Sequence, residues 1–333
     1  MRNLPLLATM TVGSAATPGW MHVFRDRLRD RGAGPADIDE AFDDATRLAI
    51  ADQIEAGMDV IVDGELRRLR FVYEMYDRLT GLDRIPPGRR LGVPGYDRAP
   101  QFQAAGPIGA PDGLGVVPEL ARLKAQVPDR PIKVALPGPL TFANNIGGGP
   151  EVLEQVTAIV AAEVAGLAAI GADIIQLDEP GLTHPRAGGF PDDGVPAMNA
   201  ALAPAGAAAA LHVCFGNNAS RPMAKRDLAP LLPAMSRLDC DLLMLEFANR
   251  EMAEIEILAA LPERMRFAVG VVDVKNFYVE TAEDVAARLR RALEHCPAER
   301  LYGTMDCGLS AIPRWLAVEK MRALVAGTRL VRD

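Results

Sequence analysis

The sequence predicts a (β/α)8 TIM barrel with a hairpin-like insertion after the second βα unit. Three observations predict it. Eight short apolar runs alternate with helical patterns. Most of those runs are apolar on both faces, as strands of a buried parallel sheet are. Polar residues capable of chemistry stand at the carboxyl ends of the runs, where barrel active sites assemble. A doubly wound sheet is the runner-up, but no Gly-Xaa-Gly-Xaa-Xaa-Gly follows the first run.

The elements follow in order. The first run, 6–13, leads into Ser14. Apolar residues at helical spacing over Ala36–Ala56 stop near Gly57, a glycine stop signal. The second run, 60–64, leads into Glu65 and a basic turn with Arg67, Arg68 and Arg70, read either as a solvated turn or as an anion clamp at the mouth. Segment 86–115 is rich in Pro and Gly and is expected as the insertion covering the site. The run 132–136 leads to Gly138-Pro139, and a helix is expected over Gly149–Ile170. The run 174–178 ends on Asp178-Glu179, followed by a Gly/Pro-containing loop, Thr183–Pro204, with a short helical piece. Small side chains before residue 211 suggest a helix end packed closely on the sheet. Runs at 211–214, 242–246, 267–272 and 301–305 end near Cys214, Glu246, Asp273 and Cys307, with a helix over Thr281–His295. The whole chain, 1–333, is expected as one domain.

Composition narrows the function. The net charge of −8 argues against broad electrostatic binding to nucleic acid. The apolar stretch at the N-terminus is short and broken by Pro5, which suits neither a membrane span nor a signal peptide. Four cysteines in 333 residues do not make a disulfide framework. The expectation is a cytoplasmic protein with reduced thiols and no membrane partner.

The chemistry concentrates on His212 and Cys214. They alternate on a strand-like run, so both side chains leave one face. Glu246 and Cys307 close two later runs. One His, two Cys and one Glu form a tetrahedral donor set for a borderline-soft divalent ion, zinc first. Two thiolates and a carboxylate make such a site net negative, which suits activating an incoming thiol more than generating hydroxide. His22, His184, His295, Cys240 and Cys296 fall away from the strand ends and are read as structural or surface residues, and Trp20 as packing or an aromatic wall.

Several motifs then appear in a fixed order: Thr11-Val12-Gly13-Ser14, the 59–65 run ending Asp63-Gly64-Glu65, Leu136-Pro137-Gly138-Pro139-Leu140-Thr141, the 174–180 run ending Asp178-Glu179-Pro180, His212-Val213-Cys214, Leu245-Glu246-Phe247, Gly270-Val271-Val272-Asp273 and Asp306-Cys307-Gly308-Leu309. This ordered set resembles the catalytic barrel of the cobalamin-independent methionine synthases, in particular their short single-barrel members. The resemblance implies zinc on His212, Cys214, Glu246 and Cys307. It implies homocysteine as the thiol, its amino-acid end held by Ser14, Glu65 and Asp178. Arg98, on the insertion, resembles an Arg-Xaa-Pro segment that reaches substrate.

Two departures bear on the methyl donor. Asn144-Asn145 replaces the family's Asn-Trp, whose Trp stacks on folate. Asp273-Val274-Lys275 replaces Asp-Ile-His, placing Lys275 where a proton-shuttling His stands. Asp273 and Lys275 are therefore the expected catalytic pair, and a methylated corrinoid protein or small methylated compound is the expected donor. Two alternatives stand beside this reading: a relative alkylating another thiol, such as coenzyme M with an epoxide, and a zinc-holding accessory subunit of a corrinoid system. Two carboxylates facing a sulfonate argue against the first.

Overall fold

The computed structural model describes residues 4–29, 32–68, 71–86, 101–184, 194–217 and 220–332. Its strands, in chain order, are β1 (Thr80–Ile85), β2 (Gln101–Gly109), β3 (Lys133–Pro137), β4 (Ile146–Gly147), β5 (Ile174–Asp178), β6 (Ala209–His212), β7 (Leu242–Glu246), β8 (Arg266–Val272) and β9 (Leu301–Met305). Six of them form one parallel sheet in the order β3-β5-β6-β7-β8-β9. Every residue of β3, β5, β6, β7 and β9 is buried. Their two-sided apolarity thus reflects cover on both faces.

The first two expected strands do not join this sheet as ladders. Segment 6–13 touches β9 through a single parallel bridge, Thr9 with Gly303, and Ile61 bridges Ile132 ahead of β3. The Thr9 carbonyl accepts the amides of Asp59 and Val60, so the two segments also touch each other. Side chains explain the missing ladders. The Gln53 amide takes both backbone groups of Val62, donating to its carbonyl at 2.8 Å and accepting its N–H at 3.0 Å. Asp59 Oδ2 takes the Thr9 amide at 2.8 Å and its hydroxyl at 2.9 Å. Backbone groups satisfied by side chains leave nothing for a strand partner.

Helices form the other layer. Pro35–Ala56 starts with proline in its first turn and stops at Gly57, whose φ of 86° suits glycine. Ala282–Leu293 opens with a reciprocal Thr281–Asp284 capping box. Glu151–Ala169 has the length and apolarity of a membrane span, with a mean hydropathy of 1.6. It packs on strands and helices of the fold, however, and carries the buried Glu163. That carboxylate accepts the amides of Leu114, Val116 and Val117, capping the helix Val116–Gln126. The core has two main parts. One lies between sheet and helices. The other gathers Ala8, Met10 and Val12 with Val60 and side chains of β5 to β9.

The insertion is a hairpin, with β1 antiparallel to β2. Its strands run over 80–85 and 101–109, so the excursion starts before residue 86 and its second strand stops short of 115. Arg98 lies outside the described residues. The helical piece expected in the 183–204 loop is Gly194–Leu202. The small-residue stretch after it is a 3-10 helix, Ala203–Ala208, that runs directly into β6, which begins at 209 and ends at His212. Cys214 therefore sits two residues past the strand.

Candidate metal centre and adjoining acidic pocket

His212 and Glu246 are the last residues of β6 and β7, and Cys307 follows β9 by two residues. Adjacent parallel strands thus bring together residues far apart in sequence. One ligand atom from each of His212, Cys214, Glu246 and Cys307 lies within 4.8 Å of every other. All four residues are buried or nearly so.

Two observations test whether this group fits a metal. Among the described residues, both ring nitrogens of His212 are buried without a nitrogen or oxygen partner, and the Cys307 sulfur is the group that engages the ring. An imidazole without such partners is costly unless something else fills the space. The sulfurs of Cys214 and Cys307 stand 3.6 Å apart, far too long for a disulfide. A tetrahedral ion with metal–sulfur bonds of about 2.3 Å would place two thiolates about 3.8 Å apart. The donor set therefore fits a tetrahedral ion.

The surroundings hold the donors in place. Glu246 Oε1 accepts the Phe215 amide at 3.1 Å, and Oε2 accepts Asn249 Nδ2 at 2.7 Å and the Lys275 ammonium. Asp273 fixes the Lys275 loop by accepting its backbone N–H at 2.7 Å. The amide of Asp273 itself donates to Glu280 Oε1 at 2.8 Å, and Glu280 is paired with Lys320, both fully buried. Asp306, beside Cys307, accepts the amides of Phe247, Ala248 and Asn249, pinning the turn after Glu246. Its approach requires Gly270, at a register shift between β8 and β9, because a Cβ there would meet Asp306 Oδ1 at 2.4 Å. Electrostatics separate the two thiols. The hydrogen bond from Cys214 holds Cys307 well below the ordinary thiol range, with help from His212 and Lys275. The same bond and burial push Cys214 well above it.

A second polar cluster adjoins the first. Glu65 follows Gly64, and both adopt left-handed backbone, with φ of 55° and 77°. Its carboxylate lies against Gly13, where a Cβ would come within 2.2 Å of Oε1. Asp178, at the end of β5, accepts Gln176 Nε2 at 2.7 Å. Burial pushes Glu65 up to about 8, Arg68 opposes this, and the neighbouring Asp178 adds to it. Burial also raises Asp178, against the pull of His212. Ser14 sits on the Cys307 turn: its carbonyl accepts the Leu309 amide at 2.8 Å, and a Cβ on Gly308 would meet its Oγ at 2.0 Å.

The basic turn is not an anion clamp in its described part. Arg67 pairs with Asp39 and Asp43, and buried Arg68 pairs with Glu119 at 2.7 Å. Trp20 lies on the helix Gly19–Arg29 and is exposed. Sequence reasoning passed over Lys133, Gln176, Asn249 and Asp306. Lys133 and Gln176 carried a signal, as polar residues inside otherwise apolar strand runs.

The catalytic-domain model of the cobalamin-independent synthases matches residues 7–329. The methionine synthase of Saccharolobus solfataricus is 30% identical, with 100% of this chain and 97% of that protein aligned. The Sulfurisphaera tokodaii methionine synthase is 29% identical, covering 100% and 95%. Among solved structures, the B12-independent methionine synthase of Shewanella sp. W3-18-1, in complex with selenomethionine, superposes with a TM-score of 0.81 at 28% identity over 98% of each chain. With the match running from the first β-bridge segment to the last helix, this chain belongs to the cobalamin-independent synthase catalytic-domain family and is a methyltransferase.

Proposed function

We propose that this chain transfers a methyl group to the thiol of L-homocysteine, giving L-methionine, at a zinc ion held by His212, Cys214, Glu246 and Cys307. The observation that carries the reading is the convergence of four donor atoms within 4.8 Å, among them an imidazole with no nitrogen or oxygen partner among the described residues. The family of the chain supports the reaction, and the selenomethionine bound to the Shewanella relative supports an amino-acid pocket beside the methylated atom. We further read the whole chain, 1–333, as one closed (β/α)8 barrel that carries the β1–β2 hairpin. The bridges from Thr9 to Gly303 and from Ile61 to Ile132, and the bonds from Asp59 and Val60 to Thr9, support that closure.

Zinc, when bound, supplies the positive charge that keeps a thiol deprotonated and nucleophilic at neutral pH. The residues of the chain do the rest. Glu65 and Asp178 accept the substrate ammonium, which needs anionic acceptors once out of water. Ser14 holds the carboxylate end beside the Cys307 turn. Lys275 places its ammonium on Glu246, offsetting the negative charge of the donor set, and Asp273 fixes the loop that carries it. From there Lys275 faces a ligand rather than a departing donor. That placement, and the engagement of Asn145 Nδ2 by Tyr76 Oη at 3.4 Å, favour a donor that needs neither a stacking aromatic nor a proton from residue 275, such as a methylated corrinoid or a small methylated compound.

The test is metal analysis of Cys214→Ser and Cys307→Ser beside an assay of methionine formation. The expected result is about one zinc per wild-type chain and loss of most of it, with the activity, in each variant. Full zinc occupancy in both variants would overturn the ligand set.

A further inference from the structure

Lys133 begins β3 and is fully buried. It touches none of the four candidate ligands. Its ammonium donates to the Val12 carbonyl and to Gln176 Oε1. An ammonium only donates, so it commits the amide oxygen of Gln176 toward itself. Nε2 must then face the other way, where it donates to Asp178 Oδ1 at 2.7 Å and to the Val12 carbonyl at 2.9 Å. One buried cation thereby sets the orientation of an amide, and the amide engages one oxygen of Asp178.

Charge leads to the same residue. Asp178 and Glu65 are the carboxylates that act on Lys133. Arg68, 3.9 Å from Glu65, is taken up by Glu119 at 2.7 Å, so Lys133 and a bound substrate ammonium together are the two cations that balance Glu65 and Asp178 once both are ionised. Without Lys133 an incoming ammonium would meet the two carboxylates with Gln176 free to turn its amide oxygen toward Asp178.

We propose that Lys133 is a positioning and specificity-determining residue: acting through Gln176 on Asp178, it tunes the Glu65–Asp178 pair to accept one substrate ammonium and so selects amino thiols. The proposal rests on the reading that this pair holds the homocysteine ammonium. Lys133→Met keeps the side-chain length and removes the charge, while Gln176→Leu keeps the charge and cuts the relay. Both are compared with wild type for turnover of homocysteine and of 4-mercaptobutyrate, the same thiol without its amino group, with zinc content and circular dichroism as controls.

The expected result for Lys133→Met is a homocysteine KM raised about 10- to 100-fold with kcat within about threefold, and a preference over 4-mercaptobutyrate reduced by a similar factor. Gln176→Leu should move the preference in the same direction by less. A merely structural role would lower turnover of both thiols together and leave their ratio alone. Wild-type discrimination in a folded, zinc-loaded Lys133→Met would overturn the proposal. Should that variant fail to fold, an unchanged preference in Gln176→Leu would overturn it instead. A wild-type enzyme that took both thiols equally would overturn the ammonium reading itself, and this proposal with it.

Discussion

Glu65 combines a left-handed backbone with a buried carboxyl, two features that work against stability. Burial lifts its carboxyl from 4.5 to about 8 in the folded protein. Between those values the unfolded chain has released a proton that the folded chain still holds, so stability falls as pH rises through this window. Glu65→Gln removes that dependence, and little is lost with the 3.9 Å contact to Arg68, which bonds mainly to Glu119. The variant should therefore be more stable than wild type, by a margin growing from near zero at about pH 4.5 to about 1–3 kcal/mol near pH 8. It should also bind homocysteine more weakly by about 2–4 kcal/mol, because the ammonium loses an acceptor that can ionise to meet it. Denaturation at several pH values and thiol titration measure both, and a stability gap that does not change with pH would contradict the argument. Candidate site residues of this kind are legible in the sequence because a lone His, Cys or Glu at the end of an apolar run stands out. Asp306 and Asn249 are not, since an acidic residue or an amide after a strand more often caps a helix.

Single side chains decide the boundaries of several elements. Six of the eight expected strands pair as a parallel sheet, each within two residues of its expected bounds. The two that do not are those whose backbone groups are taken by Gln53 and Asp59, which no apolar pattern reveals. The cap on the helix Val116–Gln126 is equally invisible from sequence, because its acceptor, Glu163, lies on another helix more than forty residues away. Glu163→Ala would strand three buried or half-buried amide donors. Its expected cost is about 2–4 kcal/mol, and Glu163→Gln, which keeps one acceptor oxygen, should lose about half as much. Urea unfolding of the two variants checks both the size and the order. Equal stability of wild type and Glu163→Ala would mean that water reaches these amides.

Across the whole molecule, the donor is the question that strand patterns could not answer and a few substitutions address. On the proposed reading, with Asn at 145 and the Lys275 ammonium turned onto Glu246, methyl-tetrahydrofolate would lack both a stacking partner and a proton source. A lost stack costs about 1–3 kcal/mol by analogy with base stacking, and a lost general acid about a further 10²–10⁴-fold. A side-by-side assay of methionine formation should show efficient turnover with methylcobalamin and little with methyl-tetrahydrofolate or its polyglutamate. Efficient turnover of either folate at micromolar concentration would reverse this reading. The bonds between the first and last segments carry a different consequence. Thr9 pairs with Gly303, and Arg332 reaches both the Leu7 carbonyl, at 3.1 Å, and Asp59 Oδ2, at 2.9 Å. A chain emerging from the ribosome cannot make these bonds until residues 301–332 have been synthesised, and Cys307 belongs to the same late stretch. Between the synthesis of residue 214 and that of residue 307, then, the thiol of Cys214 travels without its partner sulfur and with the early segments undocked. Over that interval the nascent donor residues are open to oxidation and premature metal capture, and the synthesis of residues 301–332 brings the partner sulfur and the closing bonds together.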